Sequence, residues 1–98
     1  MAAYLIANYQ IKNPEAYAAY PPAVIPTLMA HGAEVLVADY ESEIIEDGAR
    51  PVTVVLKFES KEAARAWYES EEYQAIMHHR RDNSEGFLLF ADEFKMPG

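Results

Sequence analysis

Hydrophobic and polar positions alternate in four stretches of this chain. Residues 3–11 are rich in strand formers, and Tyr4 and Ile6 alternate with Leu5 and Ala7, the period-2 pattern of a β-strand. Residues 33–40 read as a second strand, with Val35 and Val37 opposite Leu36 and Ala38. Val52–Phe58 is the clearest strand: Val52, Val54, Leu56 and Phe58 point one way and Val55 the other. Gly86 leads into the last strand, Phe87–Ala91, where Phe87 and Leu89 oppose Leu88 and Phe90. Ile44-Ile45 predicts a further short strand ahead of the Asp47-Gly48 turn signal.

Between these stretches the rhythm changes to that of helices. Asn13-Pro14-Glu15 reads as an N-cap, a proline at the first helical position and an acid in the first turn. Tyr17 and Tyr20 share a face of that helix, and Pro21-Pro22 is expected to break it. A second short helix is expected to start near Pro26, carry Leu28 and Met29, and stop at Gly32. Ser60 caps a helix with Glu62 in its first turn and Ala63, Ala64, Trp67 and Tyr68 on one side. Ser70 caps the next helical segment, Glu71 to about Arg81, and residues 95–98 are expected to fray.

The order strand, helix, strand, strand, helix, strand predicts an α+β fold: a four-stranded antiparallel sheet with both helical connections on one face. No linker divides the chain, so residues 1–98 are expected to form one domain. Several strands are apolar on both sides, which means a sheet covered on both sides. Helices cover only one, so the other face is expected to pack against a second copy as a symmetric homodimer.

Composition narrows the partners. With 51% apolar and 24% charged residues the chain is neither disordered nor membrane-spanning. Its net charge of −8 repels phosphate backbones and anionic membrane surfaces, so neither nucleic acid nor membrane is an expected partner. Cysteine is absent, which excludes disulfides, thiolate catalysis and cysteine-zinc sites. The N-terminus lacks a basic region and a long apolar run, so a cytoplasmic location is expected.

The most informative chemistry lies near the C-terminus. Tyr73, Ile76 and Met77 form an apolar helical stripe, and the next position on it is Arg80. A guanidinium facing a core keeps its proton and needs an acceptor. That acceptor is a small anionic ligand, backbone carbonyls, or a structural carboxylate such as Glu69, Asp92 or Glu93; alternatively, the stem snorkels to water. His79, on the flank of the same face, is a candidate proton shuttle. His78 points about 100° away, into solvent. Adjacent helical histidines do not converge on one ion, so no metal site is expected. His31 sits at a helix C-terminus, where its charge suits the dipole. Tyr17, Tyr20, Trp67, Tyr68 and Tyr73 are either core or the wall of a cavity, with Tyr20 and Trp67 the better pocket candidates. Asn83, three residues after Arg80, extends the polar cluster if the helix runs that far.

The segment Glu62-Ala63-Ala64-Arg65-Ala66-Trp67-Tyr68-Glu69-Ser70-Glu71-Glu72-Tyr73-Gln74-Ala75-Ile76, followed by Arg80, resembles the family called domain of unknown function 1330. Asn13-Pro14-Glu15-Ala16-Tyr17 with Tyr20, the Pro26–Gly32 stretch and Arg50-Pro51 ahead of a strand ending in Phe58 fit the same pattern. The resemblance covers about residues 3–93 and implies a ferredoxin-like βαββαβ subunit of the dimeric α/β-barrel superfamily. It also implies a pocket between sheet and helices, with Tyr17, Tyr20, Trp67, Tyr73 and Arg80 at the family's positions. His78, His79 and Arg81 depart from that pattern. The superfamily includes cofactor-free monooxygenases, lactone isomerases and haem-degrading enzymes, among which the fold alone does not choose.

Three functions follow as expectations. The first is a dimeric, cofactor-independent enzyme acting on a small carboxylate or carbonyl compound, with Arg80 as anchor and His79 or Tyr20 moving a proton. Arg80, Trp67, Tyr17, Tyr73 and Asn83 would bind the ligand. The second is a non-catalytic binding or sensing module using the same pocket. The third is a structural dimer with a filled core.

Overall fold

The computed structural model describes residues 1–97. Four strands, β1 (Ala3–Ile11), β2 (Glu34–Asp39), β3 (Val52–Phe58) and β4 (Ser84–Asp92), form one antiparallel sheet in the order β2-β3-β1-β4. Between β1 and β2 lie α1 (Pro14–Tyr17) and α2 (Tyr20–Ala30). Between β3 and β4 lie α3 (Lys61–Tyr68), α4 (Glu71–Gln74) and α5 (His78–Arg81). This is the α+β arrangement that the alternating pattern predicts.

The strand periodicity sets which side is buried. Ala3, Leu5, Ala7 and Tyr9 of β1 are buried, whereas Tyr4, Ile6 and Asn8 between them are half-buried. Leu5 stands opposite Leu56 and Ala7 opposite Val54 on β3. These side chains pack with Tyr17, Tyr20, Val24 and Leu28 of the first helical connection and with Ala64, Trp67 and Tyr73 of the second. On the other face Phe87 and Leu89 remain exposed, next to Ile6 and Val55.

The capping residues act as their chemistry dictates. Asn13, Ser60 and Ser70 each accept a backbone N–H of the following turn through a side-chain oxygen. Gly32, at φ 68°, follows the C-cap His31 of α2 in the left-handed conformation that terminates helices.

Five local expectations are corrected. Pro21-Pro22 do not separate one helix from another; they open α2, which starts at Tyr20 and runs through Pro26. The first turn of a helix has no use for its N–H groups, so prolines fit there. Ile44-Ile45 form no strand; the turn after β2 is closed instead by Ser42 N–H on the Pro51 carbonyl at 2.9 Å. The helix 71–81 is interrupted at residues 75–77. There Ile76, His79 and Arg80 donate to carbonyls three residues back, at 3.0, 3.2 and 3.0 Å, and tighten the turn. In β2 a bulge between Val35 and Val37 adds a residue, so Val35 and Ala38 share the helix side while Val37 aligns with Val55 on the other. Gly86 is inside β4 rather than ahead of it and pairs with Tyr9. A Cβ there would overlap the Asn8 carbonyl and stand 2.6 Å from the Tyr9 Cβ. Only glycine lets the two strands close at that point.

Candidate functional site: an apolar cavity ending at Arg80

A cavity of about 190 Å³ lies between the sheet and α2. Leu5, Ala7, Val54 and Leu56 form its floor, and Tyr20, Val24 and Leu28 its roof. Trp67, Tyr9, Tyr17 and Arg80 line it too. Ile25, Val35 and Tyr40 also line it and are exposed, which sets the mouth between α2 and the edge strand β2.

Its polar atoms come from phenols and one guanidinium. The Tyr20 and Tyr73 hydroxyls are 2.8 Å apart, and Arg80 Nη2 donates to the Tyr73 hydroxyl at 3.4 Å. Arg80 Cζ lies 6.0 Å from the Tyr20 ring centre, at the outer limit of a cation–π contact. A second chain of phenols runs from Tyr9 to Tyr17 at 2.7 Å and from Tyr17 to Tyr40 at 3.1 Å. Burial raises the pKa of Tyr9, Tyr17 and Tyr20 above the ordinary phenol value. They stay neutral in this cavity and offer O–H groups rather than bases. Burial works against the Arg80 charge, but the adjoining Tyr73 and Tyr20 phenols outweigh it and hold the pKa above the usual arginine value.

The Arg80 Nε is buried and has no hydrogen-bond partner among the described residues. The carboxylates expected as structural partners are engaged elsewhere. Glu69 lies 3.4 Å from Arg65, Asp92 lies 3.4 Å from Lys61, and Glu93 accepts from the Ala2 N–H. A buried N–H left unmade costs about 1–3 kcal/mol, more when charged. Arg80 therefore lines the apolar cavity with no carboxylate paired to it among the described residues, and its Nε–H is left unused inside the protein.

The fold brings Arg80, Tyr17, Tyr20 and Trp67 to the cavity and sets Tyr73 behind them. Trp67 gives its indole N–H to Thr27 Oγ1, which lies outside the cavity lining, at 2.9 Å. Tyr68 packs at 5.4 Å from Tyr73 and 6.4 Å from Phe90, outside the lining. His79 and Asn83 are not brought in. The His79 ring lies 4.0 Å from that of His78 and outside the cavity lining. Asn83 is a joint of the backbone: its side chain donates to the His79 carbonyl at 3.0 Å, and its own carbonyl accepts from Lys12 N–H at 2.7 Å. His31 faces Glu72, 3.9 Å away. Tyr9 and Tyr40 are members that sequence reasoning missed. Tyr9 had a signal, since it continues the Leu5–Ala7 period; Tyr40, beyond the end of β2, had none.

The sequence profile of the family described as "Domain of unknown function (DUF1330)" matches residues 2–94. The chain belongs to this family. No protein of curated function matches it. Among solved structures it is similar to RPA0582 of Rhodopseudomonas palustris, a protein of unknown function. That likeness has a TM-score of 0.75 at 18% identity and covers 97% of this chain and 84% of that one. It is also similar to Rv0793 of Mycobacterium tuberculosis, with a TM-score of 0.59, 14% identity and full coverage of both chains. An antibiotic biosynthesis monooxygenase matches with a TM-score of 0.54 at 13% identity, over 97% of this chain and 100% of that one. At these identities the likeness is one of fold, the ferredoxin-like fold expected above.

Proposed function

We propose that this DUF1330 protein binds a small carboxylate in the cavity and holds it on Arg80. The observation that carries this is Arg80 itself, the one charged side chain lining an apolar cavity, with no carboxylate paired to it among the described residues. A carboxylate is the acceptor whose geometry suits a guanidinium edge. The Tyr20 hydroxyl, beside the same group, supplies a neutral hydrogen bond to a second oxygen. An enzymatic form of this reading acts on a carbonyl compound without a cofactor: Tyr20 would polarise the carbonyl, and its raised pKa suits hydrogen-bond donation better than proton transfer.

The working unit in this proposal is a homodimer joined through the helix-free sheet face. Phe87 and Leu89 are half exposed there, and Leu36 and Val37 are exposed on the edge strand β2. A large apolar patch of this kind is what a subunit contact covers.

Thermal shift with a panel of small carboxylates tests the binding reading. Ligands present at about 100 times Kd should stabilise the wild type by about 2.7 kcal/mol. Arg80→Met should remain folded and show no such shift. Equal shifts in both proteins would overturn the role given to Arg80. Mass spectrometry of acids co-purifying with the wild type identifies candidate ligands, and turnover of those molecules separates enzyme from binding protein.

A further inference from the structure

Arg80 is the one charged side chain among the described residues that line the cavity. A second anionic group on a ligand would lie against aliphatic walls with no counter-ion and would lose its hydration. The charge balance therefore selects a monoanion.

The polar atoms are also unevenly placed. Arg80 and the hydroxyls of Tyr9, Tyr17 and Tyr20 belong to two phenol chains, whereas Leu5, Ala7, Val24, Leu28 and Leu56 offer nothing to a hydrogen bond. Polar substituents remote from the anionic head would be stranded among those aliphatic groups.

Size sets the body of the ligand. A cavity of about 150 Å³ lined by Leu, Ile and Phe takes benzene. The volume of about 190 Å³ thus suits one six-membered ring with a carboxylate attached. Tyr20 and Trp67 present aromatic surface to that ring, which favours tilted or edge-to-face packing.

Resting on the reading that Arg80 anchors an anion, we propose that the ligand is an aromatic monocarboxylate of about the size of benzoate. Its carboxylate lies against the Arg80 guanidinium where that group lines the cavity, and its ring fills the space between Ala7, Val24 and Leu56.

Trp67 is the sole tryptophan of the chain and lines the cavity, so its emission reports occupancy. Titrations of the full-length protein would use benzoate, benzyl alcohol, phthalate, acetate and decanoate, with wild type and Arg80→Met. Arg80→Gln replaces the second protein if the methionine variant does not fold. In the wild type, benzoate should bind at least about tenfold more tightly than each of the other four. The variant should lose about tenfold or more for benzoate and keep its affinity for benzyl alcohol. If acetate, phthalate or decanoate binds as tightly as benzoate and does so through Arg80, the aromatic monocarboxylate is wrong while the anchor stands. If benzoate binds both proteins equally, or none of the five binds the wild type, the anchor fails and this proposal fails with it.

Discussion

The hydroxyl of Tyr20 meets that of Tyr73 at 2.8 Å across 53 residues of sequence. One belongs to the start of α2 and the other to α4, so this contact ties the two helical connections together over the sheet. Arg80 Nη2 donates to the same Tyr73 hydroxyl at 3.4 Å. The pair therefore holds the guanidinium at the cavity without neutralising it.

Arg80→Met should not destabilise the unliganded protein. The change removes a long hydrogen bond and a marginal cation–π contact, together worth about 1 kcal/mol. It also removes a buried unmade N–H that costs about 1–3 kcal/mol. The balance is about 0–2 kcal/mol, so the expected outcome is a melting temperature unchanged or raised by up to about 16 °C, at roughly 4–8 °C per kcal/mol for this chain length. A fall of about 10 °C, more than a kcal/mol on that scale, would reveal a structural partner for the charge.

The buried phenols predict alkaline instability. Tyr20 has a folded pKa above its unfolded value, so its neutral form is favoured by folding. The sign follows from proton linkage: that contribution is complete below about pH 10, the unfolded pKa, and is lost as pH rises beyond it. Each pH unit above about 10 should cost up to about 1.4 kcal/mol for Tyr20. Denaturant titrations at about pH 8, 10 and 11 check this, with tyrosinate absorbance rising in step with unfolding. Tyr20→Phe should reduce the slope.

Thr27→Val should cost about 1–3 kcal/mol. Thr27 Oγ1 accepts the buried Trp67 indole N–H at 2.9 Å, and its hydroxyl donates to the Val24 carbonyl at 2.7 Å. Valine preserves the shape and strands the indole N–H. The midpoint of urea unfolding, followed by Trp67 emission, measures the loss; an unchanged midpoint would show that the indole finds another acceptor.

Leu89→Asp should divide the proposed dimer and spare the fold. Leu89 is 44% exposed on the helix-free face, beside Ile6. Leu56, by contrast, lines the cavity, and an acid there should unfold the chain. Light scattering should report a dimer for the wild type and a folded monomer for Leu89→Asp. A wild type that scatters as a monomer at micromolar concentration would dispose of the dimer.

Gly86→Ala should be among the most damaging single changes, about 3 kcal/mol or more. The added methyl meets backbone of β1 at Asn8 and Tyr9, which cannot rotate away. Circular dichroism melting of the variant checks it, with Glu85→Ala, whose exposed side chain meets only Lys12, as a neighbouring control in the same strand.

Local chemistry made much of this protein readable from its residues. Alternation in Ala3–Ile11 and Val52–Phe58 assigns each side chain to a sheet face, because the pleat has a period of two. Asn13, Ser60 and Ser70 mark helix starts because each can accept an N–H a few residues on. Arg80 is identifiable as a cation on an apolar stripe from Tyr73, Ile76 and Met77 alone. What surrounds that cation is not a local property. Whether Glu69, Asp92 or Glu93 reaches it depends on where α3 and β4 settle, and there the first two pair with Arg65 and Lys61 and the third with the N-terminal backbone. His79 packs beside His78 rather than in the cavity lining, and the meeting of Lys12 with the Asn83 carbonyl makes Asn83 a backbone joint. Tyr40 reaches Tyr17 only because the β2 bulge and the turn after it bring that ring over the cavity. Residue pattern determines direction relative to an element's own axis; packing between distant elements decides which groups meet, and so left Arg80 with a donor to spare.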